Sequence, residues 1–144
     1  MKKVLWGLLG IAALSFGFGQ SPGVGFYSGY PTYIGLQYQS ANLRLGAGFG
    51  FRGVAGDAAF ILAKAPLPSS SGLGMSWYYG LGLGASVYMD ASGFGVHPHA
   101  LAGVEVQLPD PAINLYFEGQ LGASVLPSSA FSPYFAGRVG VILR

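Results

Sequence analysis

The stretch Trp77 to Asp90 alternates two kinds of side chain. Trp77, Tyr79, Leu81, Leu83, Ala85, Val87 and Met89 are apolar, and the intervening Tyr78, Gly80, Gly82, Gly84, Ser86, Tyr88 and Asp90 are small or polar. Successive side chains of an extended chain point to opposite faces, so this period of two predicts a strand. A helix would mix leucine and glycine on every face, at a cost of about 1 kcal/mol for each interior glycine.

The same alternation recurs along the chain. Val24 and Phe26 mark a first segment, Gly23 to Gly29, closed by a Tyr30-Pro31-Thr32 turn. Ile34, Leu36 and Tyr38 mark a second, reversed at Ser40-Ala41-Asn42. Leu43, Leu45, Ala47, Phe49 and Phe51 face away from Arg44, Gly46, Gly48, Gly50 and Arg52 in a third. Gly53 to Gly56 is expected to turn the chain into a fourth, less regular segment, in which Ala58, Phe60 and Leu62 oppose Asp57, Ala59, Ile61 and Ala63, ending at Lys64. Pro66 to Gly72 reads as a loop before the Trp77 strand. A sixth segment follows Ala91-Ser92-Gly93 and runs to Leu108, where Pro109-Asp110-Pro111 stops it. A seventh carries Ile113, Leu115, Phe117 and Leu121, and an eighth follows a Pro127 to Ser132 connection with Phe135, Val139, Val141 and Leu143. The pattern predicts an all-β fold of eight strands.

Sidedness decides what kind of sheet this is. Arg44, Arg52, Asp57, Glu105, Glu118 and Arg138 all fall opposite the bulky apolar groups, three positive against three negative. Glycines crowd that same face. Outward glycines would weaken a soluble strand for no gain, whereas inward ones let a narrow barrel close around Arg and Tyr. The apolar face is therefore expected to meet lipid, where a charge at mid-bilayer costs about 2–4 kcal/mol. The six charges are expected to form a structural network of salt bridges in the lumen. On this reading Gly82 lies on the lumen face, and Gly82→Ser should be far milder than Leu83→Arg on the lipid face. The expected architecture is a single antiparallel up-and-down transmembrane β-barrel.

Composition sharpens this. The chain has 144 residues, 25 glycines, no cysteine, 8% charged residues and a mean hydropathy of +0.48. That combination suits one small domain without disulfides and without a soluble monomer's surface. Met1-Lys2-Lys3 followed by the apolar Val4 to Leu14 and the small residues around Gly17 to Gln20 predicts a cleaved signal peptide over residues 1–19 and a barrel over 20–144. Removing Lys2 and Lys3 leaves five basic residues against five acidic ones, so net charge points to no nucleic-acid partner. Tyr27, Tyr30, Tyr33, Trp77, Tyr78, Tyr79, Tyr116, Phe131, Tyr134 and Phe135 lie near segment ends, and the tyrosines and tryptophan from Tyr30 onward are expected to form interfacial aromatic girdles.

The chain resembles the family of small outer-membrane barrels of the OmpA/OmpX type from diderm bacteria. The residues carrying the likeness are Gly29-Tyr30-Pro31-Thr32, Trp77-Tyr78-Tyr79-Gly80-Leu81-Gly82, Gly103-Val104-Glu105-Val106, Pro109 to Pro111, Leu115-Tyr116-Phe117-Glu118-Gly119 and Leu126-Pro127. The resemblance spans nearly all of the expected mature chain. It implies residence in the outer membrane, contact with outer-membrane lipid and dependence on the outer-membrane assembly machinery during biogenesis; the barrel is expected to be a monomer.

Candidate chemistry is thin. His97-Pro98-His99 places two imidazoles on one face with no third ligand at a recognisable spacing, so neither a metal nor another cofactor is expected. Asp90, Ser92, His97 and His99 supply the residue types of an esterase, but no motif sets nucleophile, base and orienter together. Glu105 and Glu118 allow a paired-carboxylate reading, yet three arginines on their face favour ion pairs. The Gly-X-Gly units lack the helix that a nucleotide loop needs. The expected protein is a non-enzymatic barrel with a structural or envelope role. The rival readings are a barrel that binds or passes a small solute and a secreted soluble barrel.

Overall fold

The computed structural model describes residues 21–50, 52–90, 93–109, 112–127 and 129–144. The expected signal peptide lies outside these residues. The chain forms eight strands: β1 (Gly23–Gly29), β2 (Thr32–Gln39), β3 (Leu43–Phe49), β4 (Gly53–Leu67), β5 (Gly74–Tyr88), β6 (Phe94–Gln107), β7 (Ile113–Leu126) and β8 (Ser129–Leu143). Each pairs antiparallel with the next, and β8 returns to pair with β1, closing an up-and-down barrel. Closure removes the free edges that an open sheet exposes.

Register fixes the geometry of the barrel. A path leaving Gly23 across the strands meets Gln39, Arg44, Ala59, Gly82, His99, Gly122 and Tyr134 in turn. Tyr134 is four positions beyond Arg138, the partner of Gly29, so the path rejoins the line of β1 at position 33, ten residues from its start. Eight strands with a stagger of eight tilt by about 36°, and this larger stagger tilts them further. The interior remains narrow enough for side chains to fill.

Alternation sorts the side chains as the register demands. Leu81, Leu83 and Val87 of β5 point outward and are exposed, whereas Tyr78 and Ser86 are buried in the lumen. Phe26, Leu36, Leu45, Phe117, Leu121 and Val139 extend the outer apolar surface around the barrel. Arg44, Asp57, His97, His99, Glu105, Glu118, Gln120 and Arg138 are buried inside.

Several boundaries differ from expectation. Residues 53–56 are not a turn but the start of β4, because Val54 pairs with Phe49 on one side and with Val87 on the other. The chain reverses between β3 and β4, where the Gly50 amide donates to the Gly53 carbonyl at 2.9 Å. Pro66 is in β4 rather than in a loop, paired with Ser76. β3 begins at Leu43, opposite Phe60, so β4 runs past it there, and proline is tolerated on a strand flank that has no neighbour to receive an N–H. Pro133 in β8 likewise lies beyond the last β1 pair, Gly29 with Arg138, where residues 127–132 had been expected to connect strands.

Large lumen side chains lie flat across glycines of neighbouring strands. A Cβ on Gly140 would come within 2.4 Å of the Tyr116 ring, and one on Gly82 within 2.2 Å of His99 Nε2. Gly82 therefore has no room for a side chain, and the mild effect expected of Gly82→Ser does not fit this contact. Gly84, two residues on and on the same face, would place a Cβ at ordinary contact distance, 3.4 Å from His97 Cβ. Gly84→Ala should leave stability nearly unchanged, while Gly82→Ala should cost about 1–3 kcal/mol by overpacking against His99. Reversible unfolding of the two variants by urea in detergent measures the difference.

Candidate functional site

The polar groups of the lumen divide into three levels. In the middle, Arg44 on β3 reaches Glu118 on β7, with Nη1 to Oε2 at 2.5 Å. Its guanidinium lies 4.4 Å from the centre of the Tyr116 ring and 5.3 Å from that of Tyr78. Glu118 also accepts from the Tyr78 hydroxyl at 2.9 Å and from Gln120 Nε2 at 2.9 Å. Tyr116 donates to Gln37 Oε1 at 2.7 Å. Arg44, Tyr78, Tyr116, Glu118 and Gln120 are all buried, so this layer fills the cross-section.

Beside it, Arg138 on β8 pairs with Asp57 on β4 at 2.5 Å and stacks its guanidinium 4.7 Å from the Tyr27 ring. His99 donates from Nδ1 to the His97 carbonyl at 3.0 Å, which leaves Nε2 facing Asp57 Oδ1 at 3.7 Å. That separation is too long for a direct hydrogen bond. At the level nearest the chain ends, Glu105 is held by Lys64 at 2.7 Å, by Arg144 at 3.4 Å and by Asn114.

The six charges expected to form one network are thus divided. Arg44 with Glu118 and Arg138 with Asp57 are brought together across the lumen. Glu105 takes Lys64 and Arg144 instead of an arginine from the expected set. Arg52 does not belong inside: it pairs with Asp90 at 2.7 Å on the exposed rim, because residue 52 lies in the reversal beyond β3, where alternation no longer assigns a face. Lys64 escaped the sequence reading for a related reason. A bulge between Ile61 and Ala63 shifts the register, so the inward side passes from odd to even positions and Lys64 lands beside Tyr78.

The aromatic residues also sort differently. Tyr33, Trp77 and Tyr79 are exposed outside, with Trp77 and Tyr79 stacked at 5.8 Å. Tyr78 and Tyr116 are lumen residues, excluded from any girdle by their even positions on strands whose even face is internal. Tyr30 and Tyr134 cover the mouth opposite the chain ends, their ring centres 4.6 Å apart.

At that mouth the structure gathers hydroxyls around His97. Its Nε2 is 2.6 Å from Ser86 Oγ, and its Nδ1 is 3.0 Å from Ser124 Oγ and 3.2 Å from the Tyr30 hydroxyl. Tyr30 also meets Ser124 at 2.8 Å, and Ser86 lies 3.2 Å from the Tyr88 hydroxyl. Burial pushes the Tyr30 phenol above its ordinary range, which keeps it a neutral hydrogen-bonding group. Asp90 is taken up with Arg52 and Ser92 lies outside the described residues, so neither is placed with His97. Among the described residues no group of three or more His, Cys, Asp or Glu is arranged to hold a metal.

No family model, curated protein or solved structure matches this chain.

The middle layer gives a direct test of coupling. Glu118→Gln or Arg44→Met alone should each destabilise the barrel by about 3–5 kcal/mol, since each strands a buried charge. The double variant should cost much less than the sum of the two. Additive losses in a double-mutant unfolding cycle would show that the two groups do not depend on each other.

Proposed function

We propose that this protein is a monomeric barrel of the outer membrane of a diderm bacterium, with a sealed lumen and a structural or envelope-associated role. The observation that carries this reading is the inversion of polarity. Charged and amide side chains are buried inside, while leucine, phenylalanine, valine and tryptophan are exposed around the outside. A soluble barrel would put its large apolar groups within. A contiguous apolar exterior of this extent needs a nonpolar partner, and lipid on all sides is the simplest one. The signal-like first residues and the resemblance to small outer-membrane barrels support the same location, and they imply delivery by the outer-membrane assembly machinery.

The filled middle layer supports a sealed lumen over a diffusion pore, because an eight-stranded interior has little room beyond its own side chains. Leu83 is exposed on the outer face of β5, so Leu83→Arg tests the setting. Insertion and folding in phospholipid should weaken by about 2–4 kcal/mol near mid-bilayer. Fractionation of cells should place the wild-type chain with the outer membrane. Recovery as a detergent-independent soluble protein, with Leu83→Arg tolerated, would overturn the proposal.

A further inference from the structure

Three strands meet at His97 near the mouth opposite the chain ends. Val96 pairs with Val125 and His99 with Gly122, so His97 of β6 and Ser124 of β7 stand side by side on the inward face. Ser86 of β5 pairs with Gly95, two residues before His97, and the imidazole leans over that glycine to reach it. A Cβ on Gly95 would lie 3.1 Å from His97 Cε1 and 3.2 Å from Nε2, so a side chain there would push the ring away from Ser86. The register of β7 shifts directly after Ser124, and bulges of this kind re-aim the side chains beside them.

The proton positions around the ring follow from one donor. The Ser86 hydroxyl donates to the Tyr88 oxygen at 3.2 Å, so toward His97 it can only accept. Its 2.6 Å contact with Nε2 therefore places the imidazole proton on that nitrogen, and the neutral ring bears its lone pair on Nδ1. Nδ1 faces Ser124 Oγ at 3.0 Å and the Tyr30 hydroxyl at 3.2 Å. A single lone pair takes the nearer hydroxyl, and Tyr30 donates in turn to Ser124 at 2.8 Å. One direction then runs through all five groups: Tyr30 to Ser124, Ser124 to His97, His97 to Ser86 and Ser86 to Tyr88.

A serine that donates to an imidazole, whose other nitrogen is held by a third group, has the arrangement that activates a hydroxyl for attack. Exposure separates the two serines. His97 and Ser86 are buried, whereas Ser124 is half-buried and its neighbour Tyr30 is 37% exposed. The hydroxyl that faces the base is thus also the one that a solute can approach.

We propose that Ser124 is the nucleophile of a carboxylic-ester hydrolase at this mouth, with His97 Nδ1 as its base and Ser86 as the positioning residue that holds the imidazole. Ser124 Oγ bonds to the ester carbonyl carbon while its proton passes to Nδ1. The bond from that carbon to the alcohol oxygen then breaks, and the alcohol leaves with the proton from Nδ1. Water completes the cycle: its proton goes to Nδ1, its oxygen bonds to the acyl carbon, and the bond to Oγ breaks. Oγ recovers the proton and the carboxylic acid departs. The Tyr30 hydroxyl is the donor at hand for the carbonyl oxygen as it gains charge. This activity goes beyond the envelope role proposed above and does not depend on the membrane setting, since every group belongs to the mouth of the lumen.

The test uses the purified barrel folded in detergent micelles, with folding checked by heat-modified migration on gels, and two probes, a biotinylated fluorophosphonate and p-nitrophenyl butyrate. Peptide mass spectrometry should place the fluorophosphonate adduct on Ser124, formed at least tenfold faster on the folded chain than on the urea-unfolded one. The folded protein should also release p-nitrophenolate above the detergent blank, and Ser124→Ala should lose both reactions while still folding. Ser86→Ala should slow adduct formation at saturating probe by about tenfold and leave the half-saturating probe concentration unchanged, a split that a generally loosened mouth would not produce. Mapping the adduct on the wild-type chain requires no variant, so the proposal stays testable if a variant does not fold. No adduct on the folded wild-type chain, an adduct on Ser86 or another residue in place of Ser124, or labelling that unfolding does not slow would overturn it.

Discussion

A barrel of eight strands encloses a space that must be filled by the inward half of its own residues, and here that half includes ions. The arrangement of Arg44 and Glu118 answers both demands. The guanidinium is neutralised by a carboxylate across the lumen and lies against the Tyr78 and Tyr116 rings, while the remaining Glu118 capacity is taken by Tyr78 and Gln120. In a buried lumen a single unpaired ion is costly, and one paired with a counter-ion is tolerable. The glycines follow from the same constraint. Tyr116 needs Gly140 beside it and His99 needs Gly82, because backbone without a side chain is what lets a ring lie flat within a narrow tube.

The outside is set by the inside. Because alternation has a strict period of two, every residue committed to the lumen commits its neighbours to the exterior. The charged and amide groups inside therefore entail the apolar surface outside, and that surface is what calls for lipid in the proposed outer-membrane setting.

Much of this was legible in the sequence, and the parts that were not share a cause. Eight strands and the inward placement of Arg44, Asp57, Glu105, Glu118 and Arg138 follow from alternation. The reading failed where alternation is interrupted. The bulge after Ile61 turned Lys64 inward, and the reversal between β3 and β4 took Arg52 to the rim. Proline misled at Pro66, which occupies a strand flank without a neighbour, a property of register between strands that no local pattern records. Tyr78 and Tyr116 were misassigned by weighing nearness to segment ends above position on the face. The pairing of His97 with Ser86 and Ser124 joins three strands, and sequence proximity pointed to Ser92 and Asp90 instead.

The central claim is that side chains, with Arg44, Glu118, Tyr78 and Tyr116 at mid-lumen, close this barrel. Single-channel recording of the purified protein in a planar bilayer tests it most directly. The account predicts membrane insertion with no sustained conductance above the bare bilayer. Stable, reproducible conductance steps from the wild-type monomer would contradict it.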